Sequence, residues 1–193
     1  MGILVGLSQP LVYRADRDAD FSNPAELCGG AGRREKDTMQ DLLDLIHPNA
    51  IVYRIKAQTK NEVLLAMAEA AVKAYGVELS ATLESTLERE RLGSTGVGEG
   101  VAIPHARLKG LDTPKAVLAI LDPAIDFEAP DGRAADVVVL LLSPDEAGAD
   151  HLKALARLSR LLRRQDVRDG LRSARSAAAI YAFTSQGFST EAA

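Results

Sequence analysis

The chain has 193 residues, of which 47% are hydrophobic and 26% charged, enough for one globular domain with length left over for a tail. A formal net charge of −4 excludes a general nucleic-acid binder, because no surplus of Lys and Arg is available to neutralise phosphates. The single cysteine, Cys28, excludes an intrachain disulfide and a Cys-rich metal site, and it fits a reducing compartment.

No apolar run approaches the roughly 18 residues that a membrane helix needs. The longest, Val137 to Leu142, has the length of a buried strand. The opening MGILVGLSQP lacks the basic leader and the full apolar stretch of a secretory signal, so a cytoplasmic protein without direct membrane insertion is expected.

Residues 1–38 hold no helical or strand period and carry Pro10, Pro24, the run Gly29-Gly30-Ala31-Gly32 and mixed charges, the composition of a flexible extension. Met39 opens the patterned part of the chain and is a candidate internal start. The expected organisation is an extension over 1–38, one domain over 39–185 and a tail over 186–193.

Within the domain, residues 40–46 suggest a short helix that ends before Pro48, and 50–55 a strand. Residues 60–75 place Val63, Leu64, Met67, Ala71 and Ala74 on one helical face, and Gly76 ends that helix. Ser80 is a candidate cap for the next helix, whose Leu79, Leu83 and Leu87 form an apolar face, and Leu92-Gly93 closes it. Residues 116–121 and 136–142 read as buried strands, short and rich in branched apolar side chains, and 125–132 as an extended piece followed by a turn. Ser143-Pro144-Asp145-Glu146 has the composition of a helix start: a capping serine, a proline, then acids. The helix is expected over about 149–163 with Leu152, Leu155, Leu158 and Leu162 facing the core, and short helices over 166–173 and 176–183 complete the domain. Interleaved helices and buried strands predict an α/β domain with a central mixed sheet flanked by helices on both faces.

Chemistry concentrates in RERLGSTGVGEGVAIPHAR, residues 89–107. Four glycines fall within residues 93–100, where they allow positive φ and a backbone that can turn several N–H groups towards an anion. Pro104 fixes its own φ and biases Ile103 to extended conformations, so His105 follows a rigid segment. A nucleotide P-loop is excluded, since no Gly-Lys-Ser/Thr follows. A dinucleotide fingerprint is excluded too, since a helix precedes the glycines and an extended segment follows them.

This segment resembles the active-site region of the mannitol/fructose-type IIA domains of the phosphoenolpyruvate-dependent phosphotransferase system. Downstream, the D-F-x-A-x-D-G pattern over 126–132 and LLSPDEAGADHLKALARLSRLL over 141–162 follow in the same order, so the resemblance covers about 40–184. As a stand-alone chain it is most similar to the nitrogen-regulatory branch. The resemblance implies that His105 accepts a phosphoryl group from a phosphorylated HPr-like carrier, that His151 is the second active-site histidine and that Arg89 contacts the phosphate. It also implies a mixed sheet flanked by helices, and a IIA component that acts as a carrier rather than as a multi-turnover enzyme.

The residues suit these roles. A neutral imidazole attacks phosphorus without a separate base and leaves again as a good leaving group. A guanidinium offers planar donors to phosphate oxygens. Thr95 and Arg107 are further candidates for phosphate contact, Arg107 only if the chain stays extended beyond His105. His47, Glu90 and Glu99 read as structural or surface residues.

A metal site is not expected, because the chain has three histidines and no closely spaced pair, and no cofactor is implied. Three functions remain to be weighed. They are a phosphocarrier with a regulatory output, a sugar-transport IIA that passes phosphate to a separate IIB protein, and a binding module that is not phosphorylated. The receiving partner, regulatory target or IIB protein, is not legible in the chain.

Overall fold

A computed structural model describes residues 44–185. The expected extension over 1–38, residues 39–43 and the tail over 186–193 lie outside the described residues. Strand β1 spans Ile46–Ile55, and helices α1 (Lys60–Tyr75) and α2 (Leu79–Arg91) follow. Three short strands come next: β2 (Gly96–Gly98), β3 (Val101–Ala102) and β4 (His105–Leu108). The long strands β5 (Lys115–Ile125) and β6 (Ala135–Pro144) precede helices α3 (Gly148–Arg163), α4 (Gln165–Ser173) and α5 (Ala177–Ser185).

The sheet order is β1-β5-β6-β3-β2, and β4 also pairs with β6. β1 runs parallel to β5, β5 antiparallel to β6, and β3 and β4 both parallel to β6. Ala116 to Leu121 and Val137 to Ser143 are buried without a break. Successive residues of a strand face opposite sides, so unbroken burial requires cover on both faces of the sheet. This is the expected mixed sheet flanked by helices. No helix among the described residues is long and apolar enough to cross a membrane.

Local chemistry explains both ends of α1 and the start of α2. Thr59 caps α1 by accepting from the Glu62 N–H, and Gly76 ends it in the left-handed region at φ 69°. Helix α2 is capped by Glu78, whose carboxylate accepts from the N–H groups of Ser80 and Ala81. Ser80, the expected cap, instead donates its hydroxyl to Glu78. The buried stripe of α2 is Thr82, Thr86 and Glu90, whereas Leu79 is exposed and Leu83 and Leu87 only pack at the margin of the core. The two threonines are buried at little cost because each donates to the carbonyl four residues back, Thr82 to Glu78 and Thr86 to Thr82.

Three further expectations are corrected. Asp44 and Leu45 form a turn and Ile46 already belongs to β1, so the helix expected over 40–46 does not extend through its described part. Ser143 is not a helix cap, for β6 runs through it to Pro144 and α3 starts at Gly148 without any side-chain cap. Leu152 points outward with 64% of its surface exposed, and the inward position in that turn belongs to His151, with Ala154, Leu158, Leu161 and Leu162 continuing the face.

Candidate functional site

Between β3 and β4 the chain stays alongside β6. The Pro104 carbonyl accepts from the Leu141 N–H at 2.9 Å, and His105 then pairs with Leu141 in register. Because β4 remains extended, His105 and Arg107 share one face of it, while Ala106 and Leu108 point to the core. Helix α2 packs on β4 and delivers Arg89 from its last turn. Beyond the end of β6, residues 145–147 lead into α3, whose first turn brings His151 back beside β4.

The His105 and His151 rings stand 5.3 Å apart between centroids, tilted by 48°. His105 Nδ1 lies 3.0 Å from the Ile103 carbonyl oxygen. A carbonyl can only accept, so Nδ1 carries the proton and Nε2 holds a lone pair. Arg89 donates its Nε–H to that Nε2 at 2.9 Å and a second N–H to the Gly93 carbonyl at 2.8 Å. His151 is 5% exposed, and its Nδ1 lies 2.8 Å from the Ser143 hydroxyl. Arg89, His105 and His151 line a cleft of about 300 Å³ together with Arg107, Glu88, Ser85 and Leu92.

Both imidazoles are held below the usual histidine range. For His105 the main cause is burial, with the Arg89 and Arg107 charges adding to it against the opposing pull of the Ile103 carbonyl and Glu90. For His151 it is again burial first, then the charges of His105, Arg107 and Arg89. The resting cleft therefore holds two neutral rings near pH 7.

The glycine-rich stretch is a hairpin rather than an anion cradle. β2 and β3 pair antiparallel around a tight turn in which Gly98, Glu99 and Gly100 all have positive φ. Three of its amides are engaged by the protein's own side chains: Thr95 N–H by Glu90, Gly96 N–H by Ser94 and Glu99 N–H by Asp131. At Gly96 a side chain would press on Ala129, with a Cβ only 2.9 Å from the Ala129 Cβ, so close approach is what this glycine provides.

Thr95 is buried, and its hydroxyl donates to Glu90 Oε2 at 2.5 Å, so it faces that carboxylate and not the cleft. Glu90, expected at the surface, is 9% exposed. It gathers Thr95 and Lys60 Nζ, the latter at 3.1 Å. The order of contacts runs from Lys60 to Glu90 to Thr95, whose carbonyl accepts from the Ile103 N–H at 2.9 Å, and on to the carbonyl that orients His105. Glu99 is exposed and pairs with Arg133, and its carbonyl accepts from Arg172. His47 is exposed, its Nδ1 accepting from the Asn49 N–H.

The structure thus brings Arg89, His105, His151 and Arg107 to one cleft and leaves Thr95 behind it. Sequence reasoning missed Ser143 and Glu90. The unbroken apolar run of β6 gives no alternation that would mark Ser143, whereas the i, i+4 spacing from Thr82 through Thr86 was a signal for Glu90. Among the described residues no group of three His, Cys, Asp or Glu side chains is placed to hold a metal.

Residues 44–187 match the family model for the phosphoenolpyruvate-dependent sugar phosphotransferase system, EIIA 2. A nitrogen regulatory protein of Bradyrhizobium diazoefficiens is 49% identical over 140 residues, covering 72% of this chain and 92% of the relative. One from Pseudomonas aeruginosa is 37% identical over 141 residues, with the same 72% and 92% coverage. The crystal structure of nitrogen regulatory protein IIA-Ntr from Neisseria meningitidis superposes with a TM-score of 0.68 at 26% identity, covering 74% of this chain and 98% of that one. The chain therefore belongs to the EIIA 2 family of the phosphoenolpyruvate-dependent sugar phosphotransferase system.

Proposed function

We propose that this IIA protein carries its phosphoryl group on Nε2 of His105, receives it from a phosphorylated HPr-like histidine protein, and acts as a cytoplasmic regulator of the nitrogen-regulatory kind. The observation that carries the reading is the fixed ring of His105. Its proton is committed to the Ile103 carbonyl, and its lone pair faces the cleft beside Arg89.

Transfer forms a P–N bond at Nε2 while the P–N bond to the donor's imidazole breaks. The donor nitrogen recovers its lone pair, and no proton has to leave His105. Alignment and charge stabilisation then carry the catalysis. Arg89 occupies the lone pair in the resting protein, so accepting a phosphoryl group requires the guanidinium to swing off Nε2. Its hydrogen bond to the Gly93 carbonyl keeps it at the cleft mouth, from which it meets the phosphate oxygens. Arg107 adds charge from the same face of β4, and His151 offers its Nε2 from the opposite wall. The Thr95 hydroxyl supports the turn that sets Ile103, which gives it an indirect role.

Once phosphorylated, the cleft gains about two negative charges, enough to change which protein docks there. The regulatory reading rests on similarity to nitrogen regulatory proteins over nearly their full length.

Incubation with phosphoenolpyruvate, enzyme I and an HPr-type carrier tests the assignment. An acid-labile phosphoryl group is expected on the wild type and absent from His105→Ala. Undiminished label on His105→Ala would refute it.

A further inference from the structure

Resting on the phosphocarrier reading, we propose that Ser143 is the positioning residue of the second histidine: its buried hydroxyl donates to His151 Nδ1 and so places the ring's only proton on Nε2, aimed at the phosphoryl group.

Hydrogen-bond satisfaction decides between the two tautomers of His151. Ser143 is 0% exposed, and the only partner of its hydroxyl among the described residues is His151 Nδ1 at 2.8 Å. Two arrangements share this distance. If Nδ1 carried the proton and donated to Ser143, the serine O–H would be a buried donor with nothing to receive it. If the serine donates, its buried proton is used and the ring's proton lies on Nε2, which is not sealed in the interior and can be met in the cleft that His151 lines. An orphaned buried donor is the costlier defect, so the second arrangement prevails.

The backbone fixes the pair. Ser143 sits in β6 opposite Arg107 of β4, where the strand is hydrogen-bonded and fully buried. His151 lies in the first turn of α3, its own N–H donating to the Ala147 carbonyl at 2.9 Å. Eight residues separate them, and the tight passage through 145–147 folds the helix start back over the strand end. Burial keeps the resting His151 ring neutral, with His105 and Arg107 of β4 and Arg89 of α2 opposing a second proton. The ring then has one proton to place, and Ser143 decides where.

The two histidines thus hold opposite tautomers for opposite tasks. A carbonyl acceptor at Nδ1 of His105 leaves Nε2 bare to attack, and a hydroxyl donor at Nδ1 of His151 leaves Nε2 protonated to donate.

The test reads the tautomer first, by ¹⁵N ring shifts of His151 in the unphosphorylated protein. In wild type Nε2 is expected to be protonated and Nδ1 bare. In Ser143→Ala the two nitrogens should move towards one another as the tautomers mix, while the His105 signals stay in place and report an intact fold. Ser143→Thr keeps a hydroxyl and should restore the wild-type pattern. Phosphoryl transfer from phospho-HPr should slow by roughly tenfold in Ser143→Ala, mainly in the maximal rate, and recover in Ser143→Thr. A wild-type ring protonated at Nδ1, or a Ser143→Ala protein with unchanged tautomer and unchanged rate, overturns the proposal. The ring shifts need no phosphorylation, so failure of His105 to take label would strike the phosphocarrier reading alone.

Discussion

Glu90→Ala should be among the most damaging single changes outside the sheet, although nothing about residue 90 is catalytic. The carboxylate accepts from the Thr95 N–H at 3.3 Å and from the Thr95 hydroxyl at 2.5 Å, and Thr95 is 5% exposed. Removing it strands two buried donors, each worth about 1–3 kcal/mol when left unpaired. Lys60 loses one partner but keeps Glu128 at 3.0 Å and remains partly hydrated, so its share is under about 1 kcal/mol. Water entering the vacated space offsets part of the loss, and the expected destabilisation is about 3 kcal/mol, or roughly 10 °C in Tm for a domain of this size. Urea unfolding measures it directly, with the midpoint shifting at constant slope. Glu90→Gln keeps one acceptor and should fall between wild type and Glu90→Ala. Phosphoryl transfer should slow as well, because the Thr95 carbonyl that accepts from Ile103 loses its support. A loss below about 0.5 kcal/mol in Glu90→Ala would refute the reasoning, since it would mean that Thr95 finds other partners at no cost.

The other predictions concern the site and the helices behind it. Both His105 and His151 bind a proton less readily in the fold than in the unfolded chain, whose histidines titrate near 6.5. The unfolded state therefore takes up protons first on acidification, so stability is fully present above about pH 6.5 and falls as the pH drops from there towards the depressed folded values. Denaturant titrations between pH 7 and 5 should show this slope, flattened in a His105→Gln, His151→Gln double variant. Arg89→Lys should slow phosphoryl transfer by roughly 10- to 100-fold with folding retained, because a point charge cannot reproduce the fork that spans Nε2 and the Gly93 carbonyl; a rate within twofold of wild type would count against Arg89. Gly170→Ala should destabilise by about 1–3 kcal/mol, although alanine is the better helix former, because a Cβ at Gly170 would overlap the Phe183 ring packed on it; a raised Tm would contradict this. Leu158→Ala, at a fully buried position of α3, should cost about 3–5 kcal/mol in the same unfolding assay.

Much of the fold is legible in the sequence where apolar periodicity and burial coincide. Residues 60–75 form the expected helix, Gly76 ends it in the conformation glycine favours, and the two unbroken apolar runs are the central strands. Legibility fails where polar side chains are buried. Thr82, Thr86 and Glu90 look like a solvated stripe, and only the tertiary structure shows them satisfied by carbonyls and by one another. Ser143 has the composition of a helix cap, yet pairing with β4 extends β6 through it. In α3 a shift of one position places His151 inward and Leu152 outward, a difference that a leucine count along a helix does not resolve. Of the residues named for the site, the motif leads to His105, Arg89 and His151. The hydrogen bonds that set the proton on each ring depend on the Ile103 carbonyl and the Ser143 hydroxyl, which no motif spells out.

On the proposed phosphocarrier reading, the same geometry accounts for how one covalent change is read by a partner. With both rings neutral, the charged groups lining the cleft are Arg89, Arg107 and Glu88, which leaves one net positive charge. A phosphoryl group brings about two negative charges, so the cleft changes sign rather than merely weakening. A partner that docks on the positive form meets a like charge on the other if its own surface is acidic, and the reverse holds for a basic one. Arg89 sharpens the contrast. Its guanidinium caps the His105 lone pair at rest, and in the proposed phosphorylated state it would turn to the phosphate, so that shape and charge would change together. The discrimination needs no rearrangement of the sheet, because His105 is anchored on a strand that is itself bonded to the core of the domain.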